Sequence, residues 1–220
     1  ITITAQDGSG NTSTGYNDAA TLTTTAGTIS PSSVTFTNGV ATASVSVTDA
    51  GTGQTITAGD GTISATSNTF AVDPGAVSAS ASSVGATSPH LADGVDVSTV
   101  TIALSDANGN AISGLADADF TVDVGVNATA GTVSETTTAG TYEVGVTNAT
   151  VETVTVGITA DGVVLDDSPE IVFQAGGATS YQFDTIGSPQ TAGSSFGITI
   201  TAQDGSGNTS TGYNDAATLT

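Results

Sequence analysis

The sequence predicts an all-β protein built from tandem antiparallel β-sandwiches arranged end to end. Three observations predict it. Apolar and polar residues alternate with period two along many short segments. Turn-forming Gly, Asn and Asp punctuate those segments about every 8–12 residues. Residues 1–23 return without a difference as residues 198–220, which marks a repeat with a period of 197 residues.

The first element alternates Ile1, Ile3 and Ala5 against Thr2, Thr4 and Gln6 and ends in the loop Asp7-Gly8-Ser9-Gly10-Asn11. Val34 to Thr37 and Val40 to Ala43 flank Asn38-Gly39, a dipeptide that accepts the positive φ angles of a tight hairpin. Val45 and Val47 alternate with Ser44 and Ser46, and Gly59-Asp60-Gly61 marks another turn. Asp73-Pro74-Gly75-Ala76 reads as a joint. Beyond it Val100, Ile102 and Leu104 share one face, followed by Asp106-Ala107-Asn108-Gly109-Asn110. Tyr142, Val144 and Val146 form the next apolar face, and Val154, Val156 and Ile158 another, before the turn at Asp161-Gly162. Thr fills the opposite faces, where its β-branch suits the pleat and its hydroxyl stays hydrated. No segment has the period of an amphipathic helix.

A weaker repeat lies inside the period. Ile1 to Tyr16 aligns without gaps on Val100 to Leu115, matching at Asp7/Asp106, Gly10/Gly109 and Asn11/Asn110. The period therefore holds two diverged domains of about 100 residues, a usual sandwich size. We place domain A at 1–75, lacking its first strand, domain B at 76–176, and the start of the next copy of A at 177–220. The missing first strand of A is expected near Thr179 to Phe183.

Composition excludes several functions. With no Lys or Arg against 21 acidic residues, the net charge is -21, so no side chain neutralises nucleic-acid phosphates or anionic lipid. With no Cys there is no disulfide framework, thiol catalysis or thiolate metal site. The single histidine, His90, excludes a multi-histidine metal centre within one chain. No apolar run approaches the ~20 residues needed to span a bilayer, so membrane insertion is not expected. Yet 37% of residues are hydrophobic and only 10% charged, enough to build a core and unlike a disordered acidic segment.

Domain B resembles the bacterial immunoglobulin-like domains of the invasin and intimin type. The resemblance rests on Ala92-Asp93-Gly94, the strand Thr99 to Leu104, the Asp106–Asn110 loop with Ile112-Ser113-Gly114-Leu115, Ala139-Gly140-Thr141-Tyr142, and Pro169 to Phe173. Domain A resembles related repeats of very large bacterial surface proteins, through Thr4-Ala5-Gln6-Asp7, Gly10-Asn11 and Thr14-Gly15-Tyr16. The resemblance implies tandem immunoglobulin-like sandwiches in a large cell-surface adhesin or extracellular fibre. It also implies that Tyr142 is a corner tyrosine whose hydroxyl ties back to nearby backbone.

Several side chains are candidate sites. Asp7, Asn11, Asp106 and Asn110 offer oxygens at short spacing, but without the Asp-x-Asp-x-Asp-Gly pattern of a calcium loop, so a locally bonded turn is preferred. Asp73, Asp93, Asp96, Asp161, Asp166 and Asp167 are calcium candidates at domain joints, set against a solvated acidic face. No cofactor is expected beyond calcium at these residues. His90 reads as a surface loop residue. Asp166/Asp167 and Asp117/Asp119 do not read as catalytic pairs: neither has the aromatic surroundings of a sugar-binding site, and Asp166 and Asp167, as adjacent strand residues, would diverge. Phe36, Phe70, Phe120 and Phe173 read as core. Asn11, Asn127, Asn148 and Asn208 stand in Asn-x-Ser/Thr sequons and are candidate glycan acceptors.

The expected function is a non-catalytic structural repeat of a long extracellular filament or adhesin stalk at the cell surface. The alternative is a calcium-dependent adhesive module that binds a glycan or a protein. The expected partners are further copies of the chain. The favoured form is a window on a covalent tandem array; the other form is discrete subunits joined by strand exchange, with residues 178–197 completing domain A of a neighbour.

Overall fold

The computed structural model describes residues 1–219; Thr220, the last residue of the second A copy, lies outside them. Strands dominate, and the helical content of the described residues is one 3-10 turn at Asp117–Asp119. No helix among them is long and apolar enough to cross a membrane. The chain divides into two compact units. The first holds residues 1–76 together with 106–110, and the second holds 77–105 with 111–220.

In the first unit Ala19–Thr24 pairs on one side with Ser33–Thr35 and on the other with Ile56–Gly59, which pairs in turn with Ser64–Thr66. Three two-stranded ladders accompany this sheet. Thr2–Thr4 pairs with Val40–Thr42, Ile29–Ser30 with Ser46–Val47, and Gly51–Gln54 with Phe70–Val72. The core between them is small: Ala5, Ala20, Leu22, Val34, Phe36 and Ile56 carry most of it. The hairpin at Asn38-Gly39 has φ of 51° and 80°, as the dipeptide predicts. Glycine is required at position 39 twice over. Its φ is positive, and an added Cβ would lie 2.5 Å from the Ser13 carbonyl oxygen. Gly39→Ala should lower stability by about 1–2 kcal/mol from the left-handed conformation alone. Urea unfolding checks this, and an unchanged midpoint would refute it.

The second unit has a larger core. Ser83–Ala86, Ser98–Ala103, Thr141–Asn148 and Ala128–Ala130 form one antiparallel sheet, with Ser134–Glu135 also paired to Thr141–Asn148. Facing strands come from Glu152–Thr155 against Glu170–Gln174 and from Phe120–Asp123 against Gly157–Ala160. The expected apolar faces do form the core: Val100, Ile102, Tyr142, Val146, Val156 and Phe173 are fully buried. Each fully buried side chain of this kind contributes roughly 1.5–3 kcal/mol. Phe120 and Phe70 are half-buried against their cores, and Phe36 and Phe173 are buried. One pairing departs from the antiparallel expectation: His90–Leu91 lies parallel to Glu170–Gln174.

The second unit also carries a ladder of Ser180–Phe183 with Ile200–Gln203. This is the strand expected near Thr179 to Phe183, found beside residues that repeat Ile3–Gln6.

Candidate functional site

The Asp-x-x-Gly-Asn loop occurs three times and folds the same way each time. One carboxylate oxygen of the Asp accepts two backbone N–H groups, from the residues two and four places on. Asp7 Oδ1 accepts from Ser9 and Asn11, both at 2.9 Å. Asp106 Oδ1 accepts from Asn108 and Asn110 at 2.8 and 2.9 Å. Asp204 Oδ1 accepts from Ser206 and Asn208 at 2.9 and 2.8 Å. The loops are thus turns closed by their own backbone, the reading preferred over a calcium loop.

What remains of each loop is a second carboxylate oxygen and an Asn amide, and in the loops at 106–110 and 204–208 these reach outward. Within the first unit the Asn110 amide donates to the Thr48 carbonyl at 2.8 Å, and its oxygen accepts from Ala50 N–H at 2.8 Å. Asp106 Oδ2 accepts from Gly75 N–H at 2.8 Å. Within the second unit Asn208 donates to the Ala92 carbonyl at 2.7 Å, and Asp204 Oδ2 accepts from Gly176 N–H at 2.9 Å. Ser210 Oγ donates to the Gly176 carbonyl at 2.9 Å. Asp106 and Asp204 are buried accordingly, whereas Asp7 is exposed. The loops at 106–110 and 204–208 therefore act as clasps on distant backbone. At residues 7–11 the side-chain bonds stay inside the loop.

The Asn110 side chain and the Gly75 N–H hold the Asp106 carboxyl down to about 2. A carboxylate lowered on folding stabilises above its unfolded value of 3.8 and loses that contribution as the pH falls through its folded value. The stability difference between the native chain and Asp106→Asn should therefore narrow as the pH drops from 3.8 to about 2. Melting temperatures of both proteins across that range test this; a constant difference would refute it.

The calcium candidates are placed as follows. Asp93 Oδ1 accepts from Val95 and Asp96 N–H at 2.8 and 2.7 Å. Asp96 bridges His90 Nδ1 at 3.0 Å and Leu91 N–H at 2.7 Å. Asp167 accepts from Val84 N–H at 3.1 Å. Asp161 occupies a turn at φ 48°, and Asp73 and Asp166 are exposed. No three carboxylate or imidazole side chains converge among the described residues. Asp166 and Asp167 follow the strand Val163–Val164 rather than lying on it, which corrects the strand argument used for that pair. Asp117 accepts from Val133 N–H at 2.6 Å, and Asp119 from Ala116 N–H at 2.7 Å. Both carboxylates of that pair hold backbone.

His90 is more engaged than a surface loop residue. It is half-buried on a strand, between Asp96 and the Thr87 hydroxyl, which lies 2.9 Å from Nε2. The sequon reading is corrected at Asn148, which is 2% exposed. Its amide donates to Glu152 Oε1 at 2.7 Å, so a glycan cannot reach it in the folded chain. Asn208 is half-buried and holds Ala92, whereas Asn11 and Asn127 are exposed. Tyr142 is a corner tyrosine: its hydroxyl donates to the Ile112 carbonyl at 3.0 Å and accepts from Leu115 N–H at 3.1 Å. Sequence reasoning missed the outward half of the clasps. The threefold return of Asp, Gly and Asn at one spacing was the available signal.

An apolar groove of about 220 Å³ runs through the first unit beside Thr2–Thr4. Ile3, Ala5, Ala20, Phe36, Ala58 and Ala65 line it. A neighbouring hollow of about 430 Å³ continues along the same strand past Ile1 and Ile56. Tyr16 and Asp60 sit at the groove, with the phenol donating to the carboxylate at 2.5 Å. That bond holds Asp60 down to about 2 and pushes Tyr16 up to about 12. Strand Thr2–Thr4 has Val40–Thr42 as its strand neighbour and leaves its other edge, along the groove, without one among the described residues.

Residues 78–176 match the family described as Invasin, domain 3. Invasin, a bacterial integrin-binding protein, is similar in structure at a TM-score of 0.53 and 23% identity, over 97% of this chain. This chain spans 44% of that invasin structure. FdeC, an adhesin of Escherichia coli, is similar at a TM-score of 0.59 and 25% identity, over 96% of this chain and 70% of its own. No curated protein matches the chain by sequence.

Proposed function

We propose, from the invasin domain 3 module that residues 78–176 carry, that the chain is a non-catalytic structural repeat of a long extracellular filament or adhesin stalk at the cell surface. The clasp carries this reading. At Asp106, Asn110, Asp204 and Asn208 polar side chains that could suggest a ligand site hold backbone instead. A repeat that uses its functional-looking groups this way serves length and persistence. The absence of Lys and Arg supports it, since trypsin-like proteases find no preferred bond. Invasin is an integrin-binding protein and FdeC an adhesin, both in keeping with an adhesive context.

The test is labelling of intact cells with antibody raised against the chain, together with a cell-binding assay of the purified chain in calcium and in chelator. Surface labelling without saturable cell binding is expected. Chelation should leave the melting temperature unchanged. Saturable binding that needs calcium would overturn the structural reading in favour of an adhesive module.

A further inference from the structure

We propose that Asn127 carries an Asn-linked glycan whose first sugar lies over the open edge of the strand Glu152–Thr155. The proposal rests on the surface location proposed above and adds a modification to it.

The sequence supplies the acceptor. Asn127-Ala128-Thr129 is an Asn-x-Thr sequon without proline at its centre. The fold then decides which sequons can be used. Asn148 is buried and donates to Glu152, and the Asn208 amide donates to the Ala92 carbonyl at 2.7 Å. Asn127 and Thr129 are both exposed. They stand where the chain leaves Phe120–Asp123 for Ala128–Ala130, in a turn with Gly125 at φ 76° and Val126 96% exposed. The acceptor nitrogen is therefore within reach of an enzyme after folding. Asn11 is exposed as well, so exposure alone does not select Asn127; its surroundings do.

A hollow of about 420 Å³ opens beside Asn127, between the loop 123–127 and the strand Glu152–Thr155. One wall of it is a strand edge without a partner. Val156 N–H donates to the Pro169 carbonyl at 2.9 Å, so the backbone groups of Val154 and Glu152 also turn toward Glu170–Gln174. Those of Thr153 and Thr155 turn the other way. On that side the pairing of Phe120–Asp123 with Gly157–Ala160 ends at Asp123 and Gly157, and no strand continues it among the described residues. Peptide donors and acceptors thus line the hollow, and sugar hydroxyls can bond both kinds. An open edge is also a template for pairing with another chain, and a cover removes that liability.

Glu152 orients the amide. Asn127 Nδ2 donates to Glu152 Oε2 at 3.2 Å. Glycosylation replaces one of the two amide hydrogens, so the other can keep this bond. In the transfer the nitrogen bonds the anomeric carbon of a sugar activated as a glycosyl phosphate or pyrophosphate. The bond from that carbon to the phosphate oxygen breaks, the phosphate leaves with the electron pair, and the nitrogen gives one proton to a base of the transferase.

Mass spectrometry of the chain released from the surface of the cells that make it tests the proposal. Cleavage before Asp and after Glu separates residues 123–135, which hold Asn127, from 144–152, which hold Asn148. Peptide 123–135 should carry the added mass of sugar and lose it in both Asn127→Gln and Thr129→Ala. Peptide 144–152 should keep its unmodified mass. The Thr153 and Thr155 amides should exchange hydrogen several-fold faster in Asn127→Gln than in the native chain. An unmodified 123–135, a modification that survives Thr129→Ala, sugar on 144–152, or equal exchange in the two proteins would overturn the proposal. A chain that labels at the surface but lacks the sugar fails only here, whereas a chain that never reaches the surface fails the reading above.

Discussion

Tyr142→Ala should lower the unfolding free energy by about 3–5 kcal/mol, the range for deleting a large aromatic side chain from a packed core. Tyr142 is fully buried, packs its ring 5.0 Å from that of Phe120, and pairs across the sheet with Ile102. Its hydroxyl does separate work by joining the Ile112 carbonyl to Leu115 N–H. Tyr142→Phe keeps the ring and removes those bonds, so it should cost about 1–3 kcal/mol, the penalty for unpaired buried polar groups. Burial pushes the Tyr142 phenol above its ordinary value, so the neutral donor persists through the alkaline range in which exposed tyrosines ionise. Chemical unfolding of both variants separates packing from hydrogen bonding. Equal losses in the two would show that the hydroxyl carries the whole effect and the ring little.

Asn110→Ala should rank next. The Asn110 amide closes two bonds to distant backbone, one to Thr48 and one to Ala50. Removing it leaves a carbonyl and an N–H without partners, at about 1–3 kcal/mol for each group left buried and unpaired. Asn11→Ala removes the same residue from a loop whose bonds are local, and should cost well under half as much. The comparison holds residue type and loop constant and varies only the clasp. Thermal unfolding of the two variants decides it: equal shifts would mean that the outward bonds contribute nothing measurable.

The fold was legible where its causes are local. Val100, Ile102 and Leu104 announce a buried face because side chains alternate along a strand, and all three are buried. Asn38-Gly39 announces its hairpin because few other pairs accept its dihedrals. The turn reading of the Asp-x-x-Gly-Asn loops stood because those bonds span four residues. The parallel pairing of His90–Leu91 was not legible, since nothing in a two-residue strand records which distant strand lies beside it. Burial of Asn148 was missed for a related reason. A sequon is a three-residue pattern, whereas burial depends on the strands around it.

By itself the sequence determined the all-β class, the strand faces, the tight turns and the 197-residue repeat, because periodicity and turn chemistry act between near neighbours. The tertiary structure alone decided that Asp106 and Asn110 hold Gly75, Thr48 and Ala50, and that Asn208 holds Ala92. Those features depend on which remote backbone groups arrive within about 3 Å of a donor or acceptor. That is a property of packing, and no short stretch of the chain encodes it.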